Sequence, residues 1–220
     1  FLQNWLLPPA FFNLLKKENP DVVNTHLKAL FYSLFSIILC KEIKFFHTVH
    51  NIATKESSKI FQYIYRVLFN KFNVTPVSIS NKVLKTVQDT YGNNYNIKID
   101  NGVIKPMTSN LLDKVKKEIG KLKSDVNTKV FINIARISPQ KNQQMLIEVF
   151  NRLMIEDKKN IILLIIGEDS TLEKKYYNSV KKIANNKIYF MGLRSNVADY
   201  FHYADAFCLS SEYEGLPITL

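Results

Sequence analysis

The chain has 220 residues, 46% of them hydrophobic, with six glycines and a formal charge of +11. That is enough to bury a sizeable core in one or two domains, and it excludes low-complexity, collagenous and disordered classes. The positive excess is spread out: thirteen Lys and Arg face six Asp and Glu in residues 1–110, and seventeen face thirteen in 111–220, with one denser run at KVKKEIGKLK, Lys114 to Lys123. Such a balance attracts phosphates or an anionic membrane surface, or simply solvates the protein. No recognition-helix, zinc or aromatic-basic signature accompanies it, which argues against nucleic acid.

The elements alternate along the chain. DVVNTHL (Asp21 to Leu27) reads as a strand, followed by a helical stretch to Cys40. Its apolar run, Ala29 to Cys40, is too short for a bilayer, which takes about 20 residues. Ile43 to His50 reads as a strand. SSKIFQYIYRVLFN reads as a helix with Ile60, Ile64, Val67 and Leu68 on one face. NVTPVSIS (Asn73 to Ser80) is a strand, NKVLKTVQDTYG a helix closed by Gly92, and IKIDNGV a strand entering an Asn-Gly turn.

Residues 104–128 form a basic, partly helical connector, after which the rhythm restarts. Lys129 to Ala135 is a strand. NQQMLIEVFNRLMIED is a helix with Met145, Leu146, Val149, Phe150 and Leu153 as its apolar stripe. Asn160 to Gly167 is a continuous apolar strand of the kind buried on both faces. A helix over LEKKYYNSVKKIANN, a strand at KIYFMG, a short helix at NVADYFHYA and a strand at DAFCLS follow. Repeated strand-helix-strand units imply parallel sheets covered by helices, an α/β class with two Rossmann-like domains, 1–107 and 108–220. Cys40 and Cys208 sit in apolar contexts and read as buried thiols, with no CxxC and no metal-ligand spacing.

In open parallel sheets, ligands bind beyond the carboxyl ends of the strands. Those loops are HTVHN, NGV, ARISPQKN, GEDS, MGLRSN and SSEYEGLP. Arg136 and Lys141 are five apart, with Lys141 at a helix start, a pairing suited to a diphosphate. Taken singly they also read as solvated charges. Gly167 and Gly192 end strands and either admit a ligand closely or simply turn the chain. Glu168 either holds a hydroxyl or caps a helix, and Glu214 either meets ligand hydroxyls or serves as an N-cap acid. His50 ends a strand where it can hydrogen-bond a sugar or phosphate. His26 and His47 read as structural, and His202 as a surface or packing residue.

The succession ARISPQKN, LLIIGED, then IYFMGLRSNVADYFHYADAFCLSSEYEGLP strongly resembles the retaining GT-B glycosyltransferases of the group-one (family four) class. Arg136 and Lys141 match its diphosphate pair, and Gly167-Glu168 its second element. Phe190, Gly192 and Leu193 match the third, and Asp205, Phe207, Ser211, Glu214 and Gly215 the last. NPDVVNTHL, HTVHN, PVSIS and IDNGV fit the first half in order. Ala135, Asp169 and Ser210 depart from the usual glycine, glycine and proline.

The resemblance implies sugar transfer, with retention, from a UDP- or GDP-linked donor to an acceptor hydroxyl, without a metal or other cofactor. It implies donor contacts from Arg136, Lys141, Gly167, Glu168, Gly192, Leu193, Arg194, Ser211, Gly215, Leu216 and Thr219, and catalytic roles for Glu214 and His50. It further implies a sugar or lipid-linked glycan acceptor on the first domain, and a cytoplasmic place at the inner face of the membrane with peripheral contact to anionic lipid. The role it suggests is in cell-surface polysaccharide synthesis. It implies a chain cut at both ends, with a glycine-rich loop before Phe1 and a second Glu at position 222. A sugar-nucleotide epimerase of the same fold and a non-catalytic remnant are the alternatives.

Overall fold

The computed structural model describes residues 7–92, 96–155, 159–168 and 174–217. The chain divides into two compact units. One holds the residues through Val103 together with the stretch beginning at Glu214, and the other holds Ile104–Tyr213.

In the first unit the order is α1 (Leu7–Glu18), β1 (Val22–His26), α2 (Ala29–Tyr32), α3 (Leu34–Leu39), β2 (Lys44–Val49) and α4 (Ala53–Glu56). Then come α5 (Lys59–Lys71), β3 (Thr75–Ser78), α6 (Asn81–Tyr91) and β4 (Ile97–Lys98). The four strands are parallel in the order β1-β2-β3-β4. The expected single helix up to Cys40 is two. The Ser33 hydroxyl donates to the Ala29 carbonyl at 2.8 Å, competing with the helical ladder where α2 gives way to α3. On α5 the buried residues are Tyr65, Leu68 and Phe69, while Ile60 is 74% exposed. The aromatic rings set the helix phase by packing on His47, with centroids 5.5 Å (Tyr65) and 6.1 Å (Phe69) away. Gly92 closes α6 in the left-handed conformation at φ +66°, as glycine permits.

In the second unit α7 (Leu112–Leu122) precedes β5 (Lys129–Ile134), a 3-10 turn (Pro139–Lys141), α8 (Gln143–Ile155) and β6 (Ile161–Ile166). Then follow α9 (Lys174–Ile183), β7 (Ile188–Gly192), α10 (Val197–His202) and β8 (Ala206–Phe207). The parallel order is β7-β6-β5-β8. Every residue of β6 is buried, because alternate side chains serve two cores. Ile161, Leu163 and Ile165 pack with Leu146, Ile147, Phe150 and Val180 of α8 and α9. Ile162, Leu164 and Ile166 pack with Val115, Ile119 and Tyr200 of α7 and α10. The stripe expected on α8 is turned by one residue: Leu146, Ile147 and Phe150 are buried, and Met145 and Val149 are about half exposed. Both cysteines are free thiols; Cys40 is buried, Cys208 only half-buried.

Candidate functional site

β5 and β6 run side by side, whereas β8 flanks β5 on its other side. The strand order therefore reverses at β5, and the crevice beyond its carboxyl end is where doubly wound sheets take ligands. Arg136 and Lys141 leave β5 there, and Ser211 leaves β8.

The strand ends are stitched together. The Ala135 N–H donates to the Ile166 carbonyl at 3.0 Å, Gly167 N–H to the Gly192 carbonyl at 3.0 Å, and Ile137 N–H to the Glu168 carbonyl at 3.2 Å. A Cβ on Gly167 would stand 1.9 Å from the Ala135 oxygen, so only glycine allows this approach. Gly192 sits at φ +68°, a left-handed turn that redirects the chain after β7.

Buried Gln143 holds the β5 loop from beneath. Its amide donates to the Arg136 carbonyl at 3.0 Å and accepts from the Ser138 N–H at 3.3 Å. Asn142, at φ +48°, accepts from the Met145 N–H at 3.3 Å and so caps the first turn of α8. The β8 loop is zipped to the same segment. Ser210 donates from its hydroxyl to the Lys141 carbonyl at 2.8 Å, Glu212 N–H to the Gln140 carbonyl at 2.9 Å, and Gln140 from its amide to the Tyr213 carbonyl at 3.2 Å. Ser211 keeps a buried hydroxyl with no protein partner among the described residues. Arg136 and Glu168 are exposed, and Lys141 is half-buried.

Leu193 is exposed. The Arg194 guanidinium is engaged elsewhere: it donates to the Tyr200 hydroxyl at 2.9 Å and to Glu118 at 3.1 Å, while Tyr200 donates to Glu118 at 2.7 Å. This triad ties α7 to α10, so the Arg194 side chain serves the packing of the unit. Asp205 is structural too, accepting from the Val130 N–H at 2.8 Å and from Lys129 at 2.8 Å. The Lys129 ammonium, foremost, holds its carboxyl below the usual range. Asp199, fully buried, accepts from the backbone N–H of Ser109 at 2.7 Å and from its hydroxyl at 2.6 Å, anchoring the segment before α7. These hydrogen bonds, led by the hydroxyl, hold its carboxyl low.

In the first unit His50 follows β2 directly, and Gly215 backs onto it. A Cβ on Gly215 would lie 2.2 Å from the His50 carbonyl oxygen. The Ser80 hydroxyl donates to the Gly215 carbonyl at 2.9 Å while capping α6, and Leu216 packs on the first unit's core. Glu214 and His50, the two residues expected to be catalytic, are thus carried on segments in direct contact. Thr219 lies outside the described residues, as does Asp169. His47 is buried and donates from Nδ1 to the Thr25 hydroxyl at 2.9 Å; that hydroxyl donates onward to the Phe46 carbonyl. Burial holds the His47 ring down at about 3, hence neutral. His26, expected to be structural, lies instead at the surface beside His50. A cavity of about 1000 Å³ opens between α2, α3 and α5, walled by Leu27, Phe31, Leu34, Phe35 and Phe61, with Glu56 at its edge. Among the described residues no helix is long and apolar enough to cross a membrane, and no three His, Cys, Asp or Glu converge as metal ligands.

Residues 114–220 match the model of the family described as glycosyl transferases group 1. The chain is 28% identical over 227 residues to the capsular polysaccharide biosynthesis glycosyltransferase CapH of Staphylococcus aureus, covering 98% of this chain and 60% of that one. It is 26% identical over 223 residues to the UDP-Gal:alpha-D-GlcNAc-diphosphoundecaprenol alpha-1,3-galactosyltransferase of Escherichia coli, covering 96% and 57%. The crystal structure of Anabaena Alr3699/HepE in complex with UDP and glucose superposes with a TM-score of 0.77 at 17% identity, over 93% of this chain and 56% of that one. The chain therefore spans somewhat over half the length of these relatives. The fold is GT-B, built of two Rossmann-like units. The likeness to the glycosyl transferases of group 1 is carried by residues 114–220, which match that family's model.

Proposed function

We propose that the protein transfers a sugar from a nucleotide diphosphate sugar to an acceptor hydroxyl with retention of configuration, in the synthesis of a cell-surface polysaccharide. One observation carries this reading: Arg136 and Lys141 share a single loop at the reversal point of the second sheet. Gln143 pins that loop from below, and the β6 and β8 loops lace it from either side. Two cations, held before the first turn of α8, neutralise charge that builds on a leaving diphosphate. Gly167, Glu168, Gly192, Leu193 and the Arg194 backbone line the same end of the sheet for the base and ribose. The buried Ser211 hydroxyl supplies a further polar contact.

Glu214 is assigned to the donor sugar's hydroxyls, with the backbone of Gly215 and Leu216 beside it and Thr219 further along, and His50 to the reacting sugar. Attack from the face the diphosphate leaves requires no protein nucleophile, and none is assigned. The clamp made by Arg136 and Lys141 stands in for a metal. The acceptor is assigned to the first unit, where the apolar cavity suits a lipid-linked glycan. The relative acting on a diphosphoundecaprenol acceptor supports that class, and the capsular relative supports the pathway. Both fit a place at the cytoplasmic face of the membrane. UDP, held by the similar Anabaena protein, leads GDP as the expected nucleotide.

Calorimetric titration of the full chain with UDP and GDP, beside Arg136→Ala/Lys141→Ala, tests the assignment. One nucleotide should bind and the double variant should lose most of that affinity. Equal binding by both proteins, or binding by neither, overturns it.

A further inference from the structure

His26 and His50 end neighbouring parallel strands. The β1–β2 register pairs His26 with Thr48 and so sets His50 two residues beyond that partner. Their rings lie 5.1 Å apart between centroids, and His26 Nδ1 is 2.8 Å from His50 Nε2. Between two neutral imidazoles one nitrogen must donate and the other accept, and the surrounding groups decide which. The far nitrogen of His26, Nε2, is 3.2 Å from Asn24 Nδ2, an amide nitrogen that can only donate. The Asn24 amide also meets the Thr48 hydroxyl, to which its Nδ2 donates at 3.1 Å and from which its Oδ1 accepts at 3.2 Å. His26 Nε2 must then accept, its proton sits on Nδ1, and that N–H points at His50 Nε2.

We infer that His26, oriented by Asn24 and Thr48, is the positioning residue that locks His50 as its Nδ1–H tautomer, so that His50 offers the substrate a hydrogen-bond donor and not a base. The inference rests on the assignment of His50 to the reacting sugar. With Nε2 occupied by His26, the Nδ1–H is the remaining polar group of the ring. A donor of that kind suits a sugar hydroxyl or ring oxygen and takes no proton from the acceptor, which fits a site with no protein nucleophile. Burial, and then a charge on His26, hold His50 below its usual value, so the neutral donor prevails at physiological pH. The buried neutral ring of His47, on the same strand, adds no charge to the pair.

The full chain has four histidines, which makes a nitrogen-15 NMR experiment direct. Two-bond proton–nitrogen correlation spectra, recorded where all rings are neutral, distinguish a protonated Nδ1 from a protonated Nε2. Wild-type His50 should show a protonated Nδ1. His26→Ala should release it to the Nε2–H form that free imidazole side chains prefer, and His26→Asn, which restores an amide donor near the Nδ1 position, should recover it. With transfer assayed on the same proteins, kcat should fall about tenfold in His26→Ala, the scale of one hydrogen bond. It should return toward wild type in His26→Asn, with nucleotide affinity unchanged in both. A wild-type His50 protonated on Nε2, or a His26→Ala protein that keeps both tautomer and kcat, overturns the inference. The spectra need no turnover, so loss of the transferase reading alone would leave the tautomer result standing.

Discussion

Gly167 faces the carbonyl oxygen of Ala135 so closely that a Cβ would stand 1.9 Å from it, and the next atom met, at 2.9 Å, is the carbonyl carbon. Backbone cannot swing aside as a long side chain can, so Gly167→Ala must move the β5 loop. The expected cost is about 1–3 kcal/mol, typical of overpacking, read as a lower urea midpoint. Because that loop carries Arg136, nucleotide affinity should fall in the same variant by more than the stability loss alone explains.

Gln143 offers a separate handle on the same loop. Replaced by leucine, it keeps its volume and loses both hydrogen bonds, leaving the Arg136 carbonyl and the Ser138 N–H unpaired in a buried place. Unpaired buried groups cost roughly 1–3 kcal/mol. Gln143→Leu should therefore lower the unfolding midpoint and weaken nucleotide binding, whereas Gln144→Leu, at an exposed position one residue on, should leave binding unchanged.

Three glycines separate three physical causes. Gly92→Ala meets no atom within 4 Å, yet its φ of +66° is strained for any side chain, and a loss of about 1 kcal/mol is expected. Gly120 also faces open space, with ordinary backbone inside α7. Alanine there should stabilise the fold by about 0.5–1 kcal/mol through helix propensity alone. Gly102→Ala, in an irregular exposed stretch with neither contact nor strain, should change little. Denaturation curves of the three variants give these signs directly.

Much of the fold is legible in the sequence because it depends on local chemistry. The apolar run of β6, Gly92 as a helix stop, and the restart of strand-helix rhythm at Lys129 all follow from side-chain type and spacing. Helix phase is less legible. On α5 and α8 apolar residues flank the buried stripe on both sides, and large rings such as Tyr65, Phe69 and Phe150 decide which face turns inward. The loops bearing Arg136, Lys141, Gly167 and Gly192 follow from the rule of strand carboxyl ends, which needs only element order. Gln143 does not, since glutamine at a helix start is ordinarily a surface residue, and its role appears only once Arg136 and Ser138 are placed above it. Nor does the His26–His50 pair, whose members are separated by 24 residues and meet only through the β1–β2 register. The partners of Arg194 are equally hidden from the sequence: it leaves β7 as element order implies, but Glu118 and Tyr200, 76 and six residues away, engage its side chain.

Glu56 gives the first unit a pH dependence of unusual sign. Burial, the largest influence, pushes its carboxyl from 4.5 up to about 7, against the opposing pull of the Asn51 and His50 backbone N–H groups. Oε2 accepts from Asn51 N–H at 3.3 Å, while Oε1 is buried without a protein partner among the described residues. Between these two values the folded chain holds a proton that the unfolded chain has released. The fold therefore loses stability as pH rises from 4.5 through about 7. At roughly 1.4 kcal/mol for each tenfold change in proton affinity, the total is on the order of 3 kcal/mol. Nearby Tyr65 and Tyr91, both pushed up to about 12, stay neutral throughout and do not offset it. Glu56→Gln keeps an acceptor for Asn51 and removes the titration. Its unfolding midpoint should match wild type below about pH 4.5, gain on it as pH rises to about 7, and hold a constant lead above that. Parallel pH profiles for the two proteins would mean that Glu56 ionises in the fold as it does in water, with solvent reaching it through the apolar cavity at whose edge it stands.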